Sequence, residues 1–268
     1  MDRRVGFRIR WHIADHRVPQ REIRRHVQAL YTKGTKGEFL GRDHSTSTTY
    51  KDTKMNAETF WTQVGLYNEA TLPIQAILTI AAAILTYMVF AKPSVKTDTW
   101  MKAFLALAFA WNGIVFFLIF AKNPISTFFG APLFIILAIL FAVDAFVKRT
   151  EFRLPDARWK KVLTSIWILL VFLYPLFGLP LGHTYPRMLT PVMPCPLTVF
   201  ALGMVSASAP KVDRKLYMLL LPWALAGLPK CLGALNCYED CILFAAGVYG
   251  LILLVKDWKA ISTLKRAV

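Results

Sequence analysis

Apolar runs close to bilayer length recur along most of this chain, and they leave few architectures open. A helix needs roughly 20 residues to cross a hydrocarbon core about 30 Å thick, and lipid-exposed backbone must satisfy its hydrogen bonds internally. Runs near 72–91, 101–121, 127–147, 162–181, 196–210, 216–232 and 241–256 meet or approach that length. Pro93, Pro124, Pro155 and Pro210 fall between them, where a missing N–H is tolerated. The expected fold is therefore all-α, a polytopic integral membrane bundle of seven spans. The fifth is short: its fifteen residues reach about 22 Å at 1.5 Å per residue. It crosses either as a short helix prolonged by the Thr190–Cys195 segment or as half of a re-entrant hairpin.

Charge decides between these alternatives. Seven crossings place the 92–102, 148–161 and 211–215 connections and the C-terminus on one side, with sixteen Lys and Arg. The other side, counted from Met55, receives Lys122, Arg187 and Lys230. The excess of basic residues on cytoplasmic connections then gives N-terminus out and C-terminus in, in the inner (cytoplasmic) membrane. A re-entrant fifth segment would move the C-terminal Lys and Arg outside and spoil the bias. The net charge of +16 is thus mostly a matter of loops, and no nucleic-acid partner is implied. The bilayer is the implied partner, together with a small solute or a docking protein.

Residues 1–54 differ in kind, with thirteen Lys and Arg against six Asp and Glu and no spanning run. Ile23, Val27, Leu30 and Tyr31 share a helical face amid arginines, a pattern that can lie on an anionic membrane surface. Gly34 to Tyr50 is rich in Gly, Ser and Thr. The reading is a basic, largely disordered N-terminal extension (1–54) ahead of a membrane domain (55–268). Translocating so much positive charge before the first span is resisted, which favours Met55 as the working start.

Phe60-Trp61, Tyr67-Asn68-Glu69, Asn123-Pro124, Gly182-His183, Tyr185-Pro186, Pro194-Cys195-Pro196, Pro222-Trp223 and Glu239-Asp240 follow one another in a characteristic order. In that order, from about Met55 to Val255, the chain resembles the uncharacterised prokaryotic membrane family DUF6064. The Gly-His and Pro-Cys-Pro blocks are its most specific parts. The resemblance implies an integral membrane protein and no assigned activity.

Sorting polar residues by depth separates the possible functions. No ionisable side chain falls at the centre of a span, although such residues mark proton relays and ion-coupled pumps. Asn112 is the most central polar group and is expected to bond to a neighbouring helix. On the outer side Asn68, Glu69, His183, Arg187, Cys195, Glu239 and Asp240 form the candidate functional cluster. His183, Cys195 and the Glu239-Asp240 pair are expected to converge there. They would supply either a mixed N/S/O metal site or a headgroup-level polar staple. Cys231, Cys237 and Cys241 lie nearby, and on an oxidising face a pair of them can form a disulfide.

Enzyme templates are missing: there is no Gly-x-Ser-x-Gly elbow, no phosphate-cradling Gly-Lys-Ser/Thr and no His-Glu-x-x-His helix. No cofactor motif is present either. Spans one to three and five to seven share an orientation, as in a parallel-repeat transporter, with Pro73 and Pro196 both opening a first span. Three functions stay open. They are a small-solute transporter or channel, an accessory protein docking a partner, and a membrane enzyme or metal-binding protein using His183 and Cys195.

Overall fold

The computed structural model describes residues 56–121 and 123–258. The basic arm, Met55, Lys122, Lys259, Lys265 and Arg266 lie outside the described residues, so the expectations placed on them go no further here.

Asn56 opens α1 (Ala57–Ala91), its side chain accepting from Thr59 N at 2.8 Å. The first span, expected from Leu72, thus begins fifteen residues earlier. Phe60, Trp61, Val64, Tyr67, Asn68, Thr71 and Gln75 form a stripe of buried residues spaced three and four apart. Asn68, Thr71 and Gln75 interrupt that stripe with polar groups, so hydropathy alone passes over it. Pro73 consequently lies inside α1 and does not open a helix, which removes half of the proline argument for a repeat.

A Ser94–Thr97 capping box opens α2 (Val95–Trp111), and π-helical turns carry it on to Phe120. After the next connection, π-helical turns over Ser126–Gly130 lead into α3 (Ala131–Val147). Then comes α4 (Arg158–Gly178), extended by a 3₁₀ turn to Leu181. These four units are long and apolar enough to cross a membrane. Their outward faces carry exposed Ile77, Ile84, Leu107, Ile114, Ile139 and Leu169. Apolar surface of that extent fits a hydrocarbon surround and not water.

Shorter helices complete the bundle: α5 (Pro194–Ser208), α6 (Arg214–Leu225), the single turn α7 (Leu228–Cys231) and α8 (Asp240–Lys256). The sixth helix was expected to reach residue 232 but stops at Leu225. The last turn closes on Ala226 N–Pro222 O and Gly227 N–Ala224 O bonds at 3.0 and 3.1 Å, and Gly227 lets the chain turn tightly against Leu243. All fifteen residues of α5 are buried. It is the axis of the bundle, packed against α2, α4, α6 and α8, while α1, α3 and α6 pack on around α2 and α3.

The polar connections sort to two ends. At one end Lys102 lies 3.3 Å from the Asp144 carboxylate, both side chains almost wholly enclosed. Asp144 also accepts from Arg149 N and Thr150 N, at 2.9 and 3.2 Å. Arg153 pairs with Asp98 at 2.9 Å, Arg149 with Asp213 at 3.0 Å and Lys160 with Asp257 at 3.1 Å. The 148–161 and 211–215 connections, the first turns of α2 and α4 and the end of α8 therefore meet. The opposite end gathers the start of α1 and the 182–193 and 226–239 connections.

Candidate functional site

At this second end the backbone between α4 and α5 turns back into the bundle. Gly182 takes a left-handed conformation (φ 82°) that reverses the chain after α4. Asn68 Nδ2 then donates to the carbonyls of Pro186 and Met188, each at 2.7 Å. Seven residues further along α1, about two turns, Gln75 donates to Asn68 Oδ1 and accepts from Thr190 Oγ1. Last, Asn112 Nδ2 donates to Val192 O at 2.8 Å. Asn112 stands eight residues before the end of its helical unit at Phe120. The central Asn thus serves irregular backbone, where a bond to a neighbouring helix was expected. Non-helical carbonyls at this depth need partners from protein, and these side chains provide them.

Here α5 starts, with Pro194-Cys195-Pro196 as its first turn. Two of its first three residues have no N–H, so few backbone donors are left unsatisfied at this buried end.

Two polar pairs lie beside that start. His183 Nδ1 is 2.5 Å from Glu239 Oε1, and its ring lies against Trp61 with centroids 3.8 Å apart. Trp61 Nε1 in turn donates to Leu235 O at 3.0 Å, tying α1 to the 232–239 connection. Gly178 makes the room: a Cβ there would stand 2.8 Å from Glu239 Oε1 and 3.1 Å from His183 Cβ. The next residue, Asp240, is fully buried. It accepts from Tyr174 OH at 2.8 Å and from Lys230 Nζ at 2.6 Å. Lys230 Nζ also lies 3.1 Å from Cys195 Sγ and faces the Trp223 ring, 5.6 Å from its centroid. In the 232–239 connection, burial pushes the Cys237 thiol well above its ordinary pKa, and the Asp240 carboxylate adds to the shift.

His183, Cys195, Glu239 and Asp240 are therefore brought together, as two neighbouring pairs. Asn68 belongs to the scaffold that holds the connection. Arg187 is half exposed and pairs with exposed Glu58 at 3.0 Å, and Glu69 is exposed on α1; neither joins the cluster. Lys230, Tyr174 and Trp61 are the members that sequence reasoning missed. Lys230 had been counted only as outer charge, although a lone basic residue ten positions before an acidic pair was a usable signal.

Lys230 Nζ stands between Cys195 Sγ and Asp240 Oδ2, at 3.1 and 2.6 Å. Among the described residues no group of three or more His, Cys, Asp or Glu side chains is placed to hold a metal ion. Cys231 and Cys241 form a disulfide, while Cys195 and Cys237 are buried free thiols.

A cavity of about 90 Å³ opens beside the first turn of α5. Phe117, Leu189, Met193 and Trp223 give it apolar walls, and Gln63, Asn123, Ser126, Cys195 and Lys230 are its polar lining. Trp223 Nε1 is buried without a hydrogen-bond partner.

No curated protein and no solved structure matches the chain. A family model, described as a family of unknown function (DUF6064), matches residues 57–264. That span takes in every helix described above, and the chain belongs to this family.

Proposed function

We propose that this protein crosses the inner membrane seven times, N-terminus out, and carries or conducts a small solute that enters the cavity from the outer side. The observation that carries the solute reading is α5, a broken helix beginning part-way into the bundle beside that cavity. Discontinuous helices with irregular backbone lining a cavity are how transporters build sites at depth. The 182–193 backbone extends the fifteen residues of α5 to the outer end. Residues 226–231 likewise extend the twelve of α6, so short helices still complete their crossings.

Charge and redox chemistry support the same orientation. The connections with most of the basic residues meet at one end, and the disulfide lies at the other, as expected of an oxidising outer face. Reporter fusions after Lys161 are expected to give cytoplasmic signals, and fusions beside Arg187 external ones. Same-side signals from both would overturn the seven-crossing topology.

The lining suits a solute with an apolar body and an acceptor group. Aromatic and aliphatic walls take an apolar body, while the Lys230 ammonium on the polar lining takes an acceptor group. Phenylacetate has both. Proteoliposomes at mildly alkaline pH are expected to take up phenylacetate but not glycerol. Lys230→Met/Asp240→Leu, which removes the ammonium without stranding its buried partner, is expected to slow that uptake about tenfold, the scale of one charged hydrogen bond. Uptake equal to that of empty liposomes would refute the reading.

A further inference from the structure

We propose that the Cys231–Cys241 disulfide is a redox latch on the cavity: oxidised, it holds Lys230 over Cys195; reduced, it lets that wall open.

The residues flanking the bridge carry the argument. Cys231 directly follows Lys230, and Cys241 directly follows Asp240. The covalent link therefore joins the backbone at the same two places as the 2.6 Å Lys230–Asp240 pair. Lys230 rides on α7, a helix of four residues, and one turn has no stability of its own in isolation. The segment beyond it turns through Gly233 and Asn236, both at positive φ (95° and 50°). Its remaining anchors are Trp61 on Leu235 and His183 on Glu239, and Leu235 is itself a lining residue of the cavity. Closing a loop of this size restricts its open states by roughly a hundredfold. Without the bridge, no covalent link holds α7 to the start of α8, and Lys230 keeps its place through the Asp240 pair and its weaker contacts with Cys195 and Trp223.

The bridge is accessible where the free thiols are not. Cys231 and Cys241 are partly exposed, whereas Cys195 and Cys237 are buried. The raised pKa of Cys237 keeps it a poor internal nucleophile, so the closed state does not reshuffle itself. An external dithiol reduces it in two steps. One thiolate attacks a bridge sulfur, giving a mixed disulfide and releasing the other protein sulfur as thiolate. The second thiol of the reagent then displaces the remaining protein sulfur and closes its own disulfide. Two electrons pass to the protein, and the two protons of the dithiol end on Cys231 and Cys241.

This latch is regulation of the cavity proposed above, yet its test needs no transported solute. Full-length protein in proteoliposomes is treated with dithiothreitol, freed of it anaerobically, and exposed to N-ethylmaleimide. Mass spectrometry then follows modification of Cys195, and circular dichroism follows the fold. The expected result is a rise of about tenfold or more in the Cys195 labelling rate with helical content retained, reversed on reoxidation. Cys231→Ser/Cys241→Ser is expected to label at the fast rate without reductant. An unchanged Cys195 rate in reduced wild type would overturn the latch. So would loss of helical signal on reduction, which would make the bridge a general staple. Fast labelling without phenylacetate uptake would leave the latch standing and remove the solute reading; uptake without a labelling change would do the reverse.

Discussion

Asp240→Ala is expected to destabilise the folded domain by about 3–5 kcal/mol, the usual consequence of stranding one member of a buried ion pair. Asp240 has no exposed surface, and its two oxygens serve Tyr174 and Lys230. Removing it leaves the ammonium of Lys230 against a thiol and an indole ring, neither able to balance its charge. The double variant Lys230→Met/Asp240→Leu is expected to recover the ion-pair part of the loss, the buried Tyr174 hydroxyl alone being left without its acceptor. Thermal unfolding in detergent reads both. A double variant as unstable as Asp240→Ala would mean that the carboxylate acts through Tyr174 and not through the ion pair.

The second large effect lies at the other end. Asp144→Ala removes the counter-charge of Lys102 and strands the N–H groups of Arg149 and Thr150, again with a loss of about 3–5 kcal/mol. Lys102→Met is expected to be the milder change, because Asp144 keeps both backbone donors. The order of the two unfolding temperatures checks this. If Lys102→Met melts lower, the carboxylate depends on the lysine more than on the backbone.

The apolar spans and the division of basic connections between two ends were legible because both are one-dimensional properties of the chain. The nearness of His183 to Glu239 and of Cys195 to Asp240 was legible for a related reason, since successive helices running up and down bring those connections to one end. Three features were not. The first fifteen residues of α1 are held by a mixed stripe whose polar members, Asn68 among them, are buried by contact with the 182–193 backbone. That contact joins residues 118 positions apart, and no local pattern announces it. The same holds for Asn112, whose depth was evident and whose partner, Val192, was not. Lys230 was discounted because a charge near the end of an apolar run is commonly solvated. Only the fold shows it turned inward to Asp240 and Cys195.

The enclosure of α5 also constrains how the protein is made. A helix with no lipid-facing side has to be surrounded by its neighbours, yet α6 and α8 are synthesised after it. Elongation of the residues between Ser208 and Lys256 takes on the order of 2–10 s. For that interval α5 leans on α2 and α4 with its remaining faces uncovered. Nascent chains stalled before α8 should therefore be targets for membrane proteases, and those stalled after Lys256 should not.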